Sequence, residues 1–465
     1  MKETYRASTL GHIFENNGKY ALFHSLTYEV LYFDDKIKSV LDLFEHGSTV
    51  EFVLNKLSTD LRSDARQVIT ELIENNFLIP VNKNEFQEIH NAADRLVGYP
   101  EISILYLLLT GRCNLRCKYC FVETPHIPTS FKSAMMTKET AILGIDTYAK
   151  ALASNPENKL LTRNVYYYGG EPILNWDTLV SSAEYMLNLK EKGILPETLV
   201  LNMVTNGTLI TKEMAHTLAR LGIQVSVSLD GPQEITEKNR GKPNGGSKTY
   251  DSIIAGIKNL QYAGITVGIS CTISDNEDSL PEIVRWFNSE LGVSSLGFNV
   301  LMGNEAEIGV TKEYFKKAAH GMLAAYEVAR ELNVYEDRVT RKVRAFSEQI
   351  LYPKDCGGCG RQIVVTADGL VGPCHAYAGD GQDYYKKLTD SYNPVTDPDI
   401  LEWSERSPLT MAQCQTRSAV GICGGGCAYH ADRNYGSIWA IDDRFCYQAK
   451  STVEWLVWDL YKQND

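Results

Sequence analysis

The stretch SILYLLLTGRCNLRCKYC, residues 103–120, sets a β-prone apolar run directly against three cysteines spaced C-x3-C-x2-C. The run reads as a strand. Five more strand candidates follow it: VYYYGG (165–170), LVLNMVTNG (199–207), QVSVSLDG (224–231), TVGISCTIS (266–274) and LGFNVLMG (296–303). Helical patterns alternate with them, such as TKETAILGIDTYAKAL with Thr137 as N-cap, TKEMAHTLARLG with Thr211 as N-cap, and TYDSIIAGIKNLQYAG. Strand–helix alternation over six strands predicts an α/β fold with a parallel sheet, open or partly closed into a barrel. Chemistry in such folds sits at the carboxyl ends of strands. CNLRCKYC, GGEP (169–172), TNGT (205–208) and SLDGP (228–232) all fall there.

Composition narrows the partners. The chain has 465 residues, 44% hydrophobic and 22% charged, too long for one compact core. A net charge of −12 and a pI near 5.4 give no footprint for nucleic acid or an anionic membrane. No secretory signal or membrane span is read in the sequence, so a cytoplasmic location is expected. Eleven cysteines in a reducing compartment favour metal or iron–sulfur ligation over disulfides, and ten of them fall in two groups.

Upstream, HIFENNGKYALFHS carries Asn17-Gly18 between β-prone runs, a hairpin signal that YEVLYF extends. KSVLDLFEHG, TVEFVLNKL and DLRSDARQVITELIENNF then show helical spacing. NKNEFQEIHNAADRLVG is polar and weakly patterned and reads as a linker. The expected units are residues 1–90, a linker at 91–100, the barrel at 101–310, a bridging helical region at 311–350 and a Cys-rich segment at 351–465. That last segment has too many glycines and too little periodicity to bury much apolar surface, so metal centres are expected to organise it.

Three thiolates, Cys113, Cys117 and Cys120, can fill three corners of a [4Fe–4S] cube and leave one iron open. A zinc site completed by a distant His or Cys would use the same residues. With GGEP downstream, CNLRCKYC resembles the signature of the radical S-adenosylmethionine (radical SAM) enzymes over residues 101–310. The resemblance implies a partial (β/α)6 TIM-like barrel and a cluster whose open iron chelates the methionine moiety. It implies a 5′-deoxyadenosyl radical that takes hydrogen from unactivated carbon. Carried over residue by residue, Gly169 and Gly170 would let backbone approach the methionine ammonium and Glu171 would offer a carboxylate beside it. Tyr119 would lie near the adenine, Ser228 and Asn206 would bond the ribose or carboxylate end, and Arg240 would pair the carboxylate as a fork. Cys271, inside a strand, reads as a buried inert thiol.

Cys356, Cys359, Cys374, Cys414, Cys423, Cys427 and Cys446 resemble the SPASM extension of these enzymes, which binds two auxiliary [4Fe–4S] clusters. Its C-x2-C-x5-C pattern is broken by Arg417, so seven cysteines stand where two full clusters need eight. The resemblance assigns Cys356, Cys359, Cys374 and Cys427 to the first cluster and Cys414, Cys423 and Cys446 to the second. Arg417, a nearby carboxylate or water is the expected occupant of the vacancy. A rival placement leaves the first cluster open. Residues 1–90 resemble the RiPP recognition element, a winged-helix-like domain that adds a leader peptide as an extra strand.

Together these imply a maturase of a ribosomally synthesised peptide, with a precursor peptide and a reductant such as flavodoxin or ferredoxin as partners, and a Cys thioether as the first-choice product. Carbon–carbon or ether crosslinking, epimerisation, anaerobic sulfatase maturation and a non-enzymatic electron-transfer or scaffold role are the alternatives. The sequence assigns no general base.

Overall fold

The computed structural model describes residues 3–59, 62–120, 122, 127–154, 162–241, 248–274, 276–302, 310–379 and 384–464. Asp60, Leu61 and Gly303, which the expected elements include, lie outside the described residues.

The N-terminal unit holds two small antiparallel sheets. Strands β1 (Thr4–Ala7), β5 (Ser48–Thr49) and β6 (Leu78–Pro80) make one in the order β5-β1-β6. The other, β2 (Gly11–Asn16), β3 (Lys19–His24) and β4 (Val30–Phe33), is the expected hairpin with its third strand. Asn17 and Gly18 turn at φ of 51° and 75°, the left-handed pair that matches strand twist in a two-residue hairpin. Helices Asp35–Asp42, Val50–Lys56 and Arg62–Glu74 close over Phe44, Ile69, Leu72 and Phe77.

The expected linker is a correction: Phe86–Leu96 is an α-helix. Its buried face is Ile89, Ala92 and Ala93, which packs with Leu10, Leu409 and Val420. Ala92 and Ala93 lie three and four residues after Ile89, an apolar stripe too slight to stand out among polar neighbours.

The centre of the chain is one parallel sheet. Strands β7 (Ile104–Thr110), β9 (Arg163–Gly169), β10 (Leu199–Thr205), β11 (Ile223–Ser228), β13 (Gly268–Ile273) and β14 (Ser295–Val300) lie side by side in chain order. Each matches one expected strand. Alternation along the strands sends Leu107, Val165, Met203 and Val227 into the core beneath the helices, and leaves Tyr106, Tyr166, Asn202 and Ser228 half-buried on the other face. A short antiparallel pair, β8 (Arg116–Cys117) with β12 (Arg240–Gly241), straps the cysteine loop to the segment after β11.

Two additions extend the sheet. The bridging region forms helices Lys312–Glu331 and Asp337–Ser347, with β15 (Tyr335–Glu336) between them pairing β14. On the other side, β16 (Gln362–Val365) pairs β7 in parallel from Gln362↔Ile104, and β17 (Leu370–Gly372) and β18 (Lys386–Lys387) continue antiparallel. The Cys-rich segment therefore grows directly from the edge of β7, the strand that leads into the Cys113 loop.

Its C-terminal helix, Asp443–Asn464, seats the N-terminal unit. Tyr32 donates its hydroxyl to Val457 O, Tyr28 donates to Ile350 O at 2.8 Å, and the ring of Phe23 lies 5.9 Å from that of Phe346. Among the described residues no helix is long and apolar enough to cross a membrane.

Candidate active site

The loop after β7 carries the three cysteines. Thr110 Oγ1 donates to Ala134 O at 2.8 Å and accepts from Arg112 N–H at 3.0 Å, which turns the chain out of the strand. Leu115 N–H then donates to Cys113 Sγ at 3.4 Å, and Cys120 N–H to Cys117 O at 3.1 Å. Burial pushes the thiol of Cys113 up to about 12 and that of Cys117 to about 11, the latter drawn back by Arg240. Thiols held this way ionise only against a strong local positive charge, which a ligated iron cluster provides. Three thiols on the one loop after β7 are the donor chemistry of a cluster that leaves one iron open.

GGEP packs on this loop. Gly169 leaves β9 at φ +129°, and a Cβ there would lie 2.4 Å from Thr110 O. A Cβ on Gly170 would lie 2.1 Å from Arg112 O. Gly170 N–H donates to Thr110 O at 2.7 Å and Glu171 N–H to Arg112 O at 2.8 Å. The close approach these glycines permit is to the cysteine loop's own backbone.

Glu171 is fully buried. Its carboxylate accepts from Thr205 Oγ1 at 2.7 Å, Asn206 N–H at 2.8 Å and Ile173 N–H at 3.1 Å. Burial raises its pKa to about 7 against those three donors. Asn206 Nδ2 donates to Asn114 Oδ1 at 2.8 Å and lies 3.8 Å from Cys113 Sγ, while its Oδ1 accepts from Thr208 N–H at 2.9 Å. The ends of β9 and β10 therefore brace the cysteine loop from below.

A residue not singled out in the sequence organises the other side. Asp230, fully buried, accepts Arg240 Nε at 3.0 Å, Arg240 Nη2 at 2.8 Å, the Tyr119 hydroxyl at 2.5 Å and Thr272 N–H at 3.1 Å. Expected to meet a ligand carboxylate, the fork of Arg240 is directed at Asp230, and its guanidinium lies 5.5 Å from the Tyr119 ring centroid. Ser228 ends β11 two residues upstream, in register with Ser270. Cys271 is buried with its Sγ 3.6 Å from Asp230 O. An acid just before Gly-Pro at a strand end was the available signal for Asp230.

The C-terminal cysteines gather in two groups. Cys356, Cys359, Cys374 and Cys427 act electrostatically on one another, with Cys359 N–H donating to Cys356 O at 3.1 Å and Cys427 N–H to Asp442 Oδ2 at 2.9 Å. Cys414, Cys423 and Cys446 line a separate pocket with Arg417. Between Cys120 and the first group stand Tyr168, Tyr106 and His375, each tyrosine ring 5.2 Å from the imidazole, and Tyr166 stacks on Tyr106 at 4.8 Å. This aromatic wall lines the open face of the sheet; Asn202, bonded to Asn164 at 3.1 Å, and Asn299, bonded to Ser270 at 2.9 Å, add amides to that face.

Residues 107–287 match the family described as the radical SAM superfamily. The radical SAM cyclopropyl synthase TigE of Paramaledivibacter caminithermalis is 22% identical over 95% of this chain and 93% of its own length. The cysteine-type anaerobic sulfatase-maturating enzyme of Clostridium perfringens is 25% identical over 70% of this chain and 89% of its own. Streptococcus suis SuiB, solved bound to S-adenosylmethionine, shares the fold at a TM-score of 0.51 and 16% identity, over 95% of this chain and 99% of that one. The superfamily uses a [4Fe–4S] cluster and S-adenosylmethionine, and the donor set after β7 fits that group.

Proposed function

With a radical SAM domain across residues 107–287 as the premise, we propose that the protein is a peptide maturase that oxidatively crosslinks a ribosomally made precursor. The first-choice product is a thioether between a precursor Cys sulfur and a carbon of another residue. The supporting observation is the single sheet that joins the Cys113 loop to the Cys374 region, with a strand-rich N-terminal unit docked on the same C-terminal helix.

When bound, the cluster and S-adenosylmethionine supply a carbon radical able to take hydrogen from an unactivated carbon. Cys113, Cys117 and Cys120 hold that group. Gly169, Gly170, Glu171 and Asn206 fix the loop, and Asp230 clamps Arg240 and Tyr119 so that Cys117 keeps a cation nearby. Tyr119 and Ser228 would border the adenosine if the cofactor binds at the ends of β7 and β11. The Tyr106, Tyr166, Tyr168 and His375 wall, with Asn202 on the same face, suits a peptide segment, offering aromatic faces for side chains and amides for its backbone. β4 is an edge strand bonded only to β3 in its sheet, and a leader peptide would add there by main-chain hydrogen bonds.

The similarity to TigE over nearly the whole of both chains favours a second reading, carbon–carbon bond formation, since a cyclopropyl ring is closed through carbon. Sulfatase maturation is the weaker choice, because the Clostridium relative matches 70% of this chain. Anaerobic incubation of reconstituted protein, reductant and S-adenosylmethionine with a candidate precursor, followed by intact-mass and fragment spectrometry, separates these. Loss of two hydrogens with a thiol no longer alkylatable supports the thioether. The same loss with the thiol free supports a carbon–carbon bond, and an unmodified precursor counts against the maturase reading for that peptide.

A further inference from the structure

The two C-terminal cysteine groups are unequal, and the inequality has a definite location. Cys427 stands with Cys356, Cys359 and Cys374, so that group has four thiols. The other has Cys414, Cys423 and Cys446, which line one pocket. The missing thiol belongs to the second group.

Arg417 fills that place. Its backbone N–H donates to Cys414 O at 3.0 Å, so it leaves the chain one turn beyond a thiol of the group. Its Nε donates to Gln413 O at 2.9 Å, which orients the guanidinium, and Nη1 reaches Cys446 Sγ at 3.1 Å. Nη1 therefore faces sulfur while Nε is tethered to the backbone.

A second cation points to the same place. Lys342 is fully buried and its Nζ has no hydrogen-bond partner among the described residues. Its neighbour Asp355 lies 3.8 Å away but is engaged at 3.1 Å by Arg341 and at 3.8 Å by Arg338, so one carboxylate faces three cations. The charge of Lys342 acts on Cys423. A buried ammonium without a hydrogen bond is costly unless anionic sulfur stands nearby.

Resting on the reading that these cysteines hold iron–sulfur clusters, we infer that the second auxiliary site is a three-thiolate site formed by Cys414, Cys423 and Cys446. The Arg417 guanidinium covers its fourth corner and donates an N–H to Cys446 sulfur. Two consequences follow. The corner is closed to an added thiolate, and the ligand set is one negative charge smaller than that of the Cys356, Cys359, Cys374 and Cys427 site. Net charge and hydrogen bonds to sulfur set cluster potentials, and both raise this one.

The test uses the full chain with Cys113, Cys117 and Cys120 all replaced by Ala, reconstituted anaerobically, so that only the auxiliary sites carry iron. Iron count, Mössbauer spectra and EPR-monitored redox titration are read with and without added free cysteine. The inference expects two centres, neither perturbed by cysteine, and one whose midpoint falls in Arg417→Cys as a fourth thiolate enters. It expects Arg417→Ala to make that same centre respond to added cysteine, and Arg417→Lys, which retains a cation, to shift its midpoint less than Arg417→Cys. If Arg417→Ala fails to fold, the Arg417→Cys shift decides by itself. Two centres whose midpoints ignore Arg417→Cys, or an unsubstituted Arg417 site that already takes cysteine, overturn the inference alone. Auxiliary iron absent altogether overturns both it and the reading on which it rests.

Discussion

Replacing Gly170 with Ala should empty the radical site while sparing the rest of the fold. The added Cβ would lie 2.1 Å from Arg112 O, 2.6 Å from Arg112 C and 2.8 Å from Gly111 O, all backbone atoms. Ordinary carbon–oxygen contact needs more than 3 Å, so the loop must retreat by roughly 1 Å, and overpacking of this kind costs about 1–3 kcal/mol. That retreat breaks Gly170 N–H to Thr110 O (2.7 Å) and Glu171 N–H to Arg112 O (2.8 Å), the two bonds that seat the loop just ahead of Cys113. Iron and acid-labile sulfide, counted after anaerobic reconstitution, should drop by about the share of one cluster in three, with release of 5′-deoxyadenosine lost. Gly193→Ala is the control: its Cβ meets open space, and its φ of +69° costs only about 1 kcal/mol of strain, with iron unchanged. Full iron and full S-adenosylmethionine cleavage in Gly170→Ala would refute the claim that this glycine exists to seat the loop.

Asp230→Asn leaves Arg240 buried without its counter-charge, which should cost about 3–5 kcal/mol in chemical denaturation and weaken S-adenosylmethionine cleavage; an unchanged denaturation midpoint contradicts the clamp. Burial, then His24 and Lys450, hold His12 down at about 4. The folded chain therefore binds fewer protons than the unfolded one between pH 6.5 and 4. The stability from His12 is complete above about 6.5 and lost as pH falls through 4, at most about 3 kcal/mol. His12→Phe should flatten that part of the stability–pH curve, and an unaltered slope counts against it. Phe23→Ala removes a fully buried ring that packs against Phe346 of the helix Asp337–Ser347 and should cost about 3–5 kcal/mol, read as faster limited proteolysis of the N-terminal unit.

The six central strands and their parallel alternation with helices were legible because each carries its own local period and ends in a marked turn. The Asn17-Gly18 hairpin was legible for the same reason. Pairing of β16 with β7 was not, since a parallel contact between residues 104 and 362 leaves no local trace. The helix Phe86–Leu96 hid behind alanines, and β1 behind its four-residue length. In the site, residue types were legible but not their partners. Glu171 and Arg240 were expected to face a ligand, and the structure directs both at protein groups, Glu171 at Thr205 and Asn206, Arg240 at Asp230. Short motifs show that a carboxylate and a fork are present, while burial decides what they bind.

The most direct test of the account is 5′-deoxyadenosine release by the anaerobically reconstituted full chain given dithionite and S-adenosylmethionine. Release that disappears in each of Cys113→Ala, Cys117→Ala and Cys120→Ala and persists in Cys271→Ala is the predicted result. No release from a chain that has taken up iron, or release indifferent to those three cysteines, would contradict it.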